Sequence, residues 1–416
     1  MASPLRIISR TAIVFACATL LYALILGALL TPNLQRLALY AHKINTLFWD
    51  DLNQPHRFGF AQHQVTPFNI PTPDGETLYA WHVLPVDVYA RHEKELQSET
   101  RQPGPVTDFK QTTAFRLLKS HEPEPARVVV YYDVKVHGNA GHIAQGWRPD
   151  TFRSLTLQPN THVVTIDYRG FGYSTGWPTE AGLINDGTAL VDFVLDQLKI
   201  EPERIVIMGQ SLGTAVSSAV SLNFANPNHD LLPPATRELQ SRRSQHIIKA
   251  PIAFAGVVLV APFYSIPSLL LTYRMGGMIP ILLPLRPFPS IARQLTSQMI
   301  DQWPSGRRLA AYYDAFGNNV KTIGESPLGM LQIIHARNDM DISYHQTEMI
   351  CAAMLQRGDM DMGKCISGNQ SAAVLHVDKA NSPTVRFEIL ERGGHNRVAT
   401  YSPVSAAVLR AFSRLM

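Results

Sequence analysis

Cysteine is scarce in this chain: three residues in 416, at positions 17, 351 and 365, with no CxxC pair. So few cysteines exclude a disulfide-framework fold. Cys351 and Cys365 can either pair in an oxidising compartment or stand as separate thiols. Charge is also thin at 17%, with 37 basic against 33 acidic residues for a net +4, and no long basic run concentrates it. That leaves no electrostatic footprint for nucleic acid, and no such partner is expected. No Gly-x-Gly-x-x-Gly opens a helix and no P-loop lysine is present, so no cofactor is expected. Asp133, His137 and His142 lie close in sequence but match no metal-ligand pattern, so His137 reads as a loop-ordering histidine and no metal is expected. No internal repeat appears, which excludes a solenoid.

Apolar residues, in contrast, are plentiful at 45%, enough to fill a sizeable core. Thr11 to Leu30, TAIVFACATLLYALILGALL, carries no charge over twenty residues. That is about the length needed to cross a hydrocarbon core, and longer than the apolar region of a cleaved signal. Residues 1–35 are therefore expected to form a membrane anchor. Arg6 and Arg10 precede the run, whereas Arg36 and Lys43 beyond it are offset by Asp50 and Asp51. This bias places the N-terminus in the cytosol and the body across the membrane. The sequon Asn369-Gln370-Ser371 is compatible with a lumenal body.

A linker of about twenty residues follows the anchor, and the body is expected over residues 60–416. TPFNIPTPDGETLYAWHVLP predicts two antiparallel strands around a Pro-Asp-Gly turn. Residues 86–124 are polar and read as an exposed excursion. Six short apolar runs then start at Val128, His162, Arg204, Gly256, Leu331 and Val385. Most precede helical patterns such as Leu183 to Leu198 and Thr214 to Phe224. Strands alternating with helices predict an α/β fold, a mostly parallel doubly wound sheet covered on both faces. Residues 264–326 are too long for one connection and predict an insertion over the sheet. Its stretch IPSLLLTYRMGGMIPILLPLRPF is apolar but holds four prolines, which argues for a cap rather than a spanning helix.

Two stretches share the spacing of a serine nucleophile on a strand-to-helix turn: GYSTG at 172–176 and GQSLG at 209–213. GQSLG follows the strand pattern RIVIM and opens the helical pattern TAVSSAVSLNF. GYSTG lies in a Gly-rich loop and runs into Pro178. Ser211 is the candidate nucleophile and Ser174 a loop residue. A serine needs a base, itself held by an acid. On such a sheet these come from later strand ends, in the order Ser, acid, His. His395, in the loop GGHNR before the final helix Val404 to Leu415, fits the base. Asp339, just past LQIIH, is favoured as the acid over Asp341, a loop carboxylate two residues on. The oxyanion of acyl transfer needs backbone N–H donors. Leu212 is expected to supply one, and the loop HGNAG, residues 137–141, the other.

Across about residues 125–400 the chain resembles serine hydrolases of the α/β-hydrolase fold. More narrowly it resembles membrane-anchored members of the alpha/beta hydrolase domain-containing protein 12 kind and their Bem46-like relatives. The resemblance rests on HGNAG at 137, DYRGFGYSTGWPTEAG from Asp167, GQSLGT at 209, APF at 261, HARND at 335 and the late His395. It implies Asn139 as the second oxyanion donor and Asp339 as the acid. Gln210 stands where many relatives carry His, and its side chain is expected to point away from the reaction. The stretches 229–250 and 356–384 are longer than in the simplest relatives. The implied activity is hydrolysis of a lipid ester, a monoacylglycerol or lysophospholipid, through an acyl-enzyme. The implied place is the endoplasmic reticulum or another secretory-pathway membrane. A thioesterase and an inactive hydrolase-fold membrane scaffold are the alternatives. Epoxide or haloalkane chemistry would need an Asp where Ser211 stands.

Overall fold

The computed structural model describes the chain apart from residues 1–3, 29, 43–48, 101, 103, 121–123, 135–140, 245–250, 276–278, 281, 286, 317–321, 324–325, 328, 356–373, 378–383 and 414–416. Two helices come first, the long apolar α1 (Pro4–Ala28) and the short α2 (Pro32–Tyr40), followed by the hairpin β1 (Val65–Pro71) and β2 (Thr77–Val83). Its turn closes with Gly75 N–H donating to the Thr72 carbonyl at 3.1 Å. Three short helices come next: α3 (Val86–Arg91), α4 (Glu93–Ser98) and α5 (Thr113–Leu118). The alternating part runs β3 (Arg127–Val134), α6 (Arg148–Thr156), β4 (Thr161–Ile166), α7 (Glu180–Asp192), β5 (Ile205–Ser211), α8 (Leu212–Ala225), α9 (Pro234–Ser244) and β6 (Gly256–Val260). Three helices then lie between β6 and β7 (Met330–Ala336): α10 (Ile266–Thr272), α11 (Pro289–Ser297) and α12 (Ser305–Phe316). The chain ends with α13 (His345–Leu355), β8 (Val374–Val377), β9 (Val385–Leu390), α14 (Gly394–Arg397) and α15 (Ser402–Phe412).

The strands form one nine-stranded sheet in the order β1-β2-β4-β3-β5-β6-β7-β9-β8. From β4 to β9 every neighbouring pair is parallel; the β1–β2, β2–β4 and β8–β9 pairs are antiparallel. This is the α/β-hydrolase fold, with a mixed, mostly parallel sheet. The apolar runs are continuous because both faces are covered. In β3, Val128, Val130 and Tyr132 enter one core while Val129 and Tyr131 enter the other. Leu212, Ala215 and Val216 of α8 and Leu309 of α12 fill the first core. Phe152 of α6 and Val404, Val408 and Phe412 of α15 fill the second. Each fully buried Val, Leu or Phe among them contributes about 1.5–3 kcal/mol relative to exposure.

Two local expectations are corrected. Residues 86–124 are not an exposed excursion: Val88, Tyr89, Leu96, Phe109, Leu117 and Leu118 are buried in the first core, and Phe109 stacks on Phe68 at 4.8 Å between ring centroids. The apolar residues are few but project to one side, so the polar majority faces water. The supposed linker after the anchor contains α2, whose Gln35, Leu39 and Tyr40 are buried.

Candidate active site

The strand β5 ends in a sharp turn at Ser211, which carries φ 54° and ψ −126° before α8 begins. A non-glycine residue in this region is strained by about 1–3 kcal/mol, and persists only where its surroundings hold it. The flanking glycines make the turn possible. A Cβ on Gly213 would overlap the carbonyl of Tyr132, and one on Gly209 would overlap Ser217 and the carbonyl of Gly213. The result aims the Ser211 hydroxyl at His395, whose Nε2 lies 2.9 Å from Oγ. The other ring nitrogen, Nδ1, lies 2.8 Å from Asp339 Oδ2. A carboxylate can only accept, so Nδ1 carries the proton and Nε2 is left as the acceptor for the serine O–H. Ser211, Asp339 and His395 are all buried.

Asp339 sits just past β7 and is held from several sides. Its Oδ1 accepts the backbone N–H groups of Asp341 and Ile342, both at 2.9 Å. Burial alone would raise its pKa, but the charge of His395 and hydrogen bonds from His335 and His395 outweigh it and hold the carboxyl well below its usual range. His335, inside β7, approaches Asp339 Oδ2 to 3.3 Å through Nε2. The same Nε2 lies 2.9 Å from the Ile342 carbonyl, and Nδ1 lies 2.7 Å from the Thr347 hydroxyl. Of the two candidate acids, the carboxylate that meets His395 is that of Asp339; Asp341 contributes its backbone N–H.

Leu212 opens α8, so its N–H is among the helix-start amides without an intrahelical acceptor. Asn139 and His137 lie outside the described residues, as do Asn369 and Cys365. Ser174 is engaged elsewhere: its hydroxyl donates to the Asp167 carbonyl at 2.6 Å and accepts from Tyr79 N–H at 2.8 Å. Gln210 does not reach Ser211 Oγ, yet it is not idle. Its Oε1 accepts from Tyr131 Oη at 2.8 Å, and its Nε2 donates to the carbonyls of His395 at 3.0 Å and Asn396 at 3.3 Å. Asn338 adds a second tie, accepting the Gly394 N–H at 2.9 Å.

A family model described as the alpha/beta hydrolase family matches residues 136–407. The chain belongs to this family. YfhR of Salmonella typhi, an uncharacterized protein, is 41% identical over 91 residues, covering 22% of this chain and 29% of its own length. Protein bem46 of Schizosaccharomyces pombe is 34% identical over 108 residues, 26% of this chain and 34% of its own. Lysophosphatidylserine lipase ABHD12 of Danio rerio is 26% identical over 187 residues, 45% and 42% of the two chains. The matched stretches thus span less than half of each of these relatives. An alpha-beta hydrolase structure from Vibrio vulnificus superposes with a TM-score of 0.49 at 11% identity, covering 90% of this chain and 88% of that one.

Behind the turn, the chain carries a compact charged cluster. Arg148 Nε donates to Asp133 Oδ2 at 2.7 Å, and its NH1 to the His142 carbonyl at 2.6 Å. Asp133 pairs in register with Gln210, so this arginine braces the end of β3 beside β5. Asp167 is buried, which pushes its carboxyl up to about 7 although Ile143 and Tyr173 donate backbone N–H groups to it. Among the described residues no group of three or more His, Cys, Asp or Glu side chains is arranged to hold a metal. A separate cleft of about 490 Å³ opens beside β1, between Phe68, Val106, Phe109 and Phe193; no member of the Ser211 constellation lines it.

Proposed function

We propose that this hydrolase cleaves carboxylic esters of lipids, monoacylglycerols or lysophospholipids, through an acyl-enzyme. The observation that carries the reading is the chain of two contacts, Ser211 Oγ to His395 Nε2 at 2.9 Å and His395 Nδ1 to Asp339 Oδ2 at 2.8 Å. In this mechanism His395 takes the Ser211 proton as Oγ attacks the ester carbonyl, and Asp339 stabilises the imidazolium. The N–H groups of Leu212 and Asn139 receive the oxyanion. Collapse expels the alcohol, protonated by His395; water, activated by the same histidine, then releases the fatty acid and restores Ser211.

The lipid class is supported by three features. ABHD12 of zebrafish and chicken is named as a lysophosphatidylserine lipase. The helix α1 is long and apolar enough to cross a membrane. The insertion 264–326 follows β6, at the same end of the sheet as Ser211, and serves as an apolar cap. A body on the far side of the membrane from the cytosol, as in the secretory pathway including the endoplasmic reticulum, agrees with Cys351 being disulfide-bonded, since cytosolic thiols are kept reduced. The test is labelling by a fluorophosphonate probe and turnover across lysophospholipids, monoacylglycerols and a soluble short-chain ester. Ser211→Ala should lose both labelling and turnover. A wild-type protein that labels but turns over only thioesters would overturn the ester reading, and one that does not label would overturn the enzyme.

A further inference from the structure

The segment joining α1 to the body has almost no slack. Leu30 N–H donates to the Gly27 carbonyl at 3.1 Å, and Thr31 N–H to that of Ala28 at 3.0 Å. Thr31 also turns its hydroxyl onto the Ala28 carbonyl at 2.8 Å. Proline at the first position of α2 then starts the next helix at once. Three residues leave four steps between the helix ends, which can span at most about 14 Å.

The inner face of α2 is fastened to the loop that follows α11. Gln35 donates through Nε2 to the Gln298 carbonyl at 3.1 Å and accepts Ile300 N–H at 2.9 Å. Arg36 Nε meets Asp301 Oδ2 at 3.2 Å, and Tyr40 Oη donates to the same oxygen at 2.9 Å. Trp303 Nε1 donates to Tyr40 Oη at 3.2 Å. The loop is in turn tied to α7: Trp303 N–H donates to Glu180 Oε2 at 3.1 Å, and Arg308 reaches Glu180 Oε1 at 2.6 Å. Asp301, Trp303, Arg308 and Glu180 are buried, so these contacts are shielded from water and resist salt. The helix α2 is therefore held firmly to the body.

The outer side of the same structure carries several exposed apolar side chains among polar ones. Leu34 and Leu37 of α2 and Ile300 in the clamped loop are exposed. On α11 and its start, Ile291 and Phe288 are 57% and 55% exposed, and Leu271 ends the exposed flank of the adjoining α10. We infer that this face, formed by α2, α10 and α11, rests in the interface of the bilayer that α1 crosses, fixing the hydrolase with its insertion toward the lipid. The inference rests on the reading of α1 as a membrane span. The occupant is the bilayer because α1, whose run Arg10–Ala28 shows no buried residue among those described, ends within about 14 Å of the start of α2, and the clamp holds α2 to the body. Side chains such as Phe288 and Ile291 then lower the energy by leaving water, while Arg293 stays at headgroup level.

The test uses the full chain with Cys17→Ser, Cys17 being free and Cys351 disulfide-bonded. A fluorophore is placed at Phe288→Cys, at Ile291→Cys, and at Leu157→Cys on the opposite face of the sheet. Each protein is reconstituted in phosphatidylcholine vesicles with or without shallow nitroxide lipid, and fluorophosphonate labelling confirms its fold. Quenching at 288 and 291 but not at 157 is the expected result. Asp301→Asn should diminish that quenching and lower turnover of vesicle-borne ester relative to a soluble short-chain ester. Unquenched labels at 288 and 291 on a carbonate-resistant protein would overturn the docking face while leaving the anchor. Blue-shifted but unquenched labels would show a protein partner there instead and equally overturn it. Release by carbonate would overturn the anchor itself.

Discussion

Gln210 Nε2 lies 3.0 Å from the carbonyl oxygen of His395, and its Oε1 receives the hydroxyl of Tyr131 at 2.8 Å. One side chain thus straps the histidine loop to the two central strands, from the position next to Ser211. The backbone it holds is that of the candidate base, so the distance from Nε2 of His395 to Ser211 Oγ depends on it.

Removing that strap should misplace the base without touching the substrate. Gln210→Ala is expected to lower kcat about tenfold, roughly 1.4 kcal/mol of barrier, with KM little changed. It also leaves the buried Tyr131 hydroxyl without its acceptor, a loss of about 1–3 kcal/mol in stability. Adding Tyr131→Phe should recover much of the stability and none of the kcat. Steady-state kinetics beside denaturant titrations separate the two; an unchanged kcat would show that the strap is structural only.

Ser174 shows the opposite pattern, a motif without the geometry. Ser174→Ala should keep fluorophosphonate labelling and turnover. It should lose about 1–3 kcal/mol of stability, because the Tyr79 N–H on β2 is left without its acceptor. Loss of labelling in a folded Ser174→Ala protein would contradict the placement of the nucleophile at Ser211.

What the sequence made legible follows from which signals are local. The central strands read correctly because burial on both faces leaves continuous apolar runs such as Val128 to Tyr132, and the turn at Ser211 announces itself by two glycines between a strand and a helix. The polar segment 86–124 misled because its buried face rests on a few residues, Phe109 and Leu117 among them, at irregular spacing. The helix α2 was hidden in the linker because its burial depends on Asp301 and Trp303, far along the chain. Edge strand β8 is four residues long and pairs on one side only, with β9, so it has little pattern to show. The ties made by Gln210 and His335 were invisible for the same reason: their partners are set by tertiary packing, and a glutamine before Ser211 or a histidine in a strand reads as ordinary core.

Acid should destabilise this protein through a buried histidine pair. His82 Nε2 and His162 Nδ1 lie 2.9 Å apart between β2 and β4, with both rings buried. Burial first, and the neighbouring His82 second, hold the His162 pKa well below its ordinary value. A depressed folded pKa means that the unfolded chain binds the proton more tightly. The stabilisation is complete above about pH 6.5 and is lost as pH falls below it, by about 1.4 kcal/mol per pH unit for one histidine. His142, depressed to about 4 by burial, acts in the same direction. Asp167, raised to about 7, opposes them, since its contribution fades as pH rises. The cleaner quantity is therefore a difference: thermal midpoints in detergent from about pH 7.5 to about pH 5.5 should fall less steeply for His162→Gln than for wild type. Parallel slopes would refute the assignment.

The two candidate acids can be separated by replacing each carboxylate with its amide. In Asp339→Asn the retained carbonyl can still accept the N–H groups of Asp341 and Ile342, so the turn after β7 should persist. The other arm would present an N–H₂ to His395 Nδ1, which now carries the proton, and to His335 Nε2, which donates to the Ile342 carbonyl. Two donors cannot share a hydrogen bond, so His395 must shift its proton to Nε2 or swing away. Either change removes the acceptor facing Ser211 Oγ. Loss of the acid in a comparable triad lowers turnover about 10⁴-fold, roughly 5 kcal/mol of barrier. In Asp341→Asn the backbone N–H that supports Asp339 Oδ1 is unchanged, and stability should stay within about 0.5 kcal/mol. The expected ranking is a folded, nearly inactive Asp339→Asn beside an Asp341→Asn that keeps most of its turnover. His335→Gln should fall between them, mainly in kcat, because it touches the acid and not the substrate. Steady-state rates on a monoacylglycerol, with circular dichroism to verify folding, decide the order. A reversed ranking would move the acid to Asp341 and leave Ser211 and His395 in place.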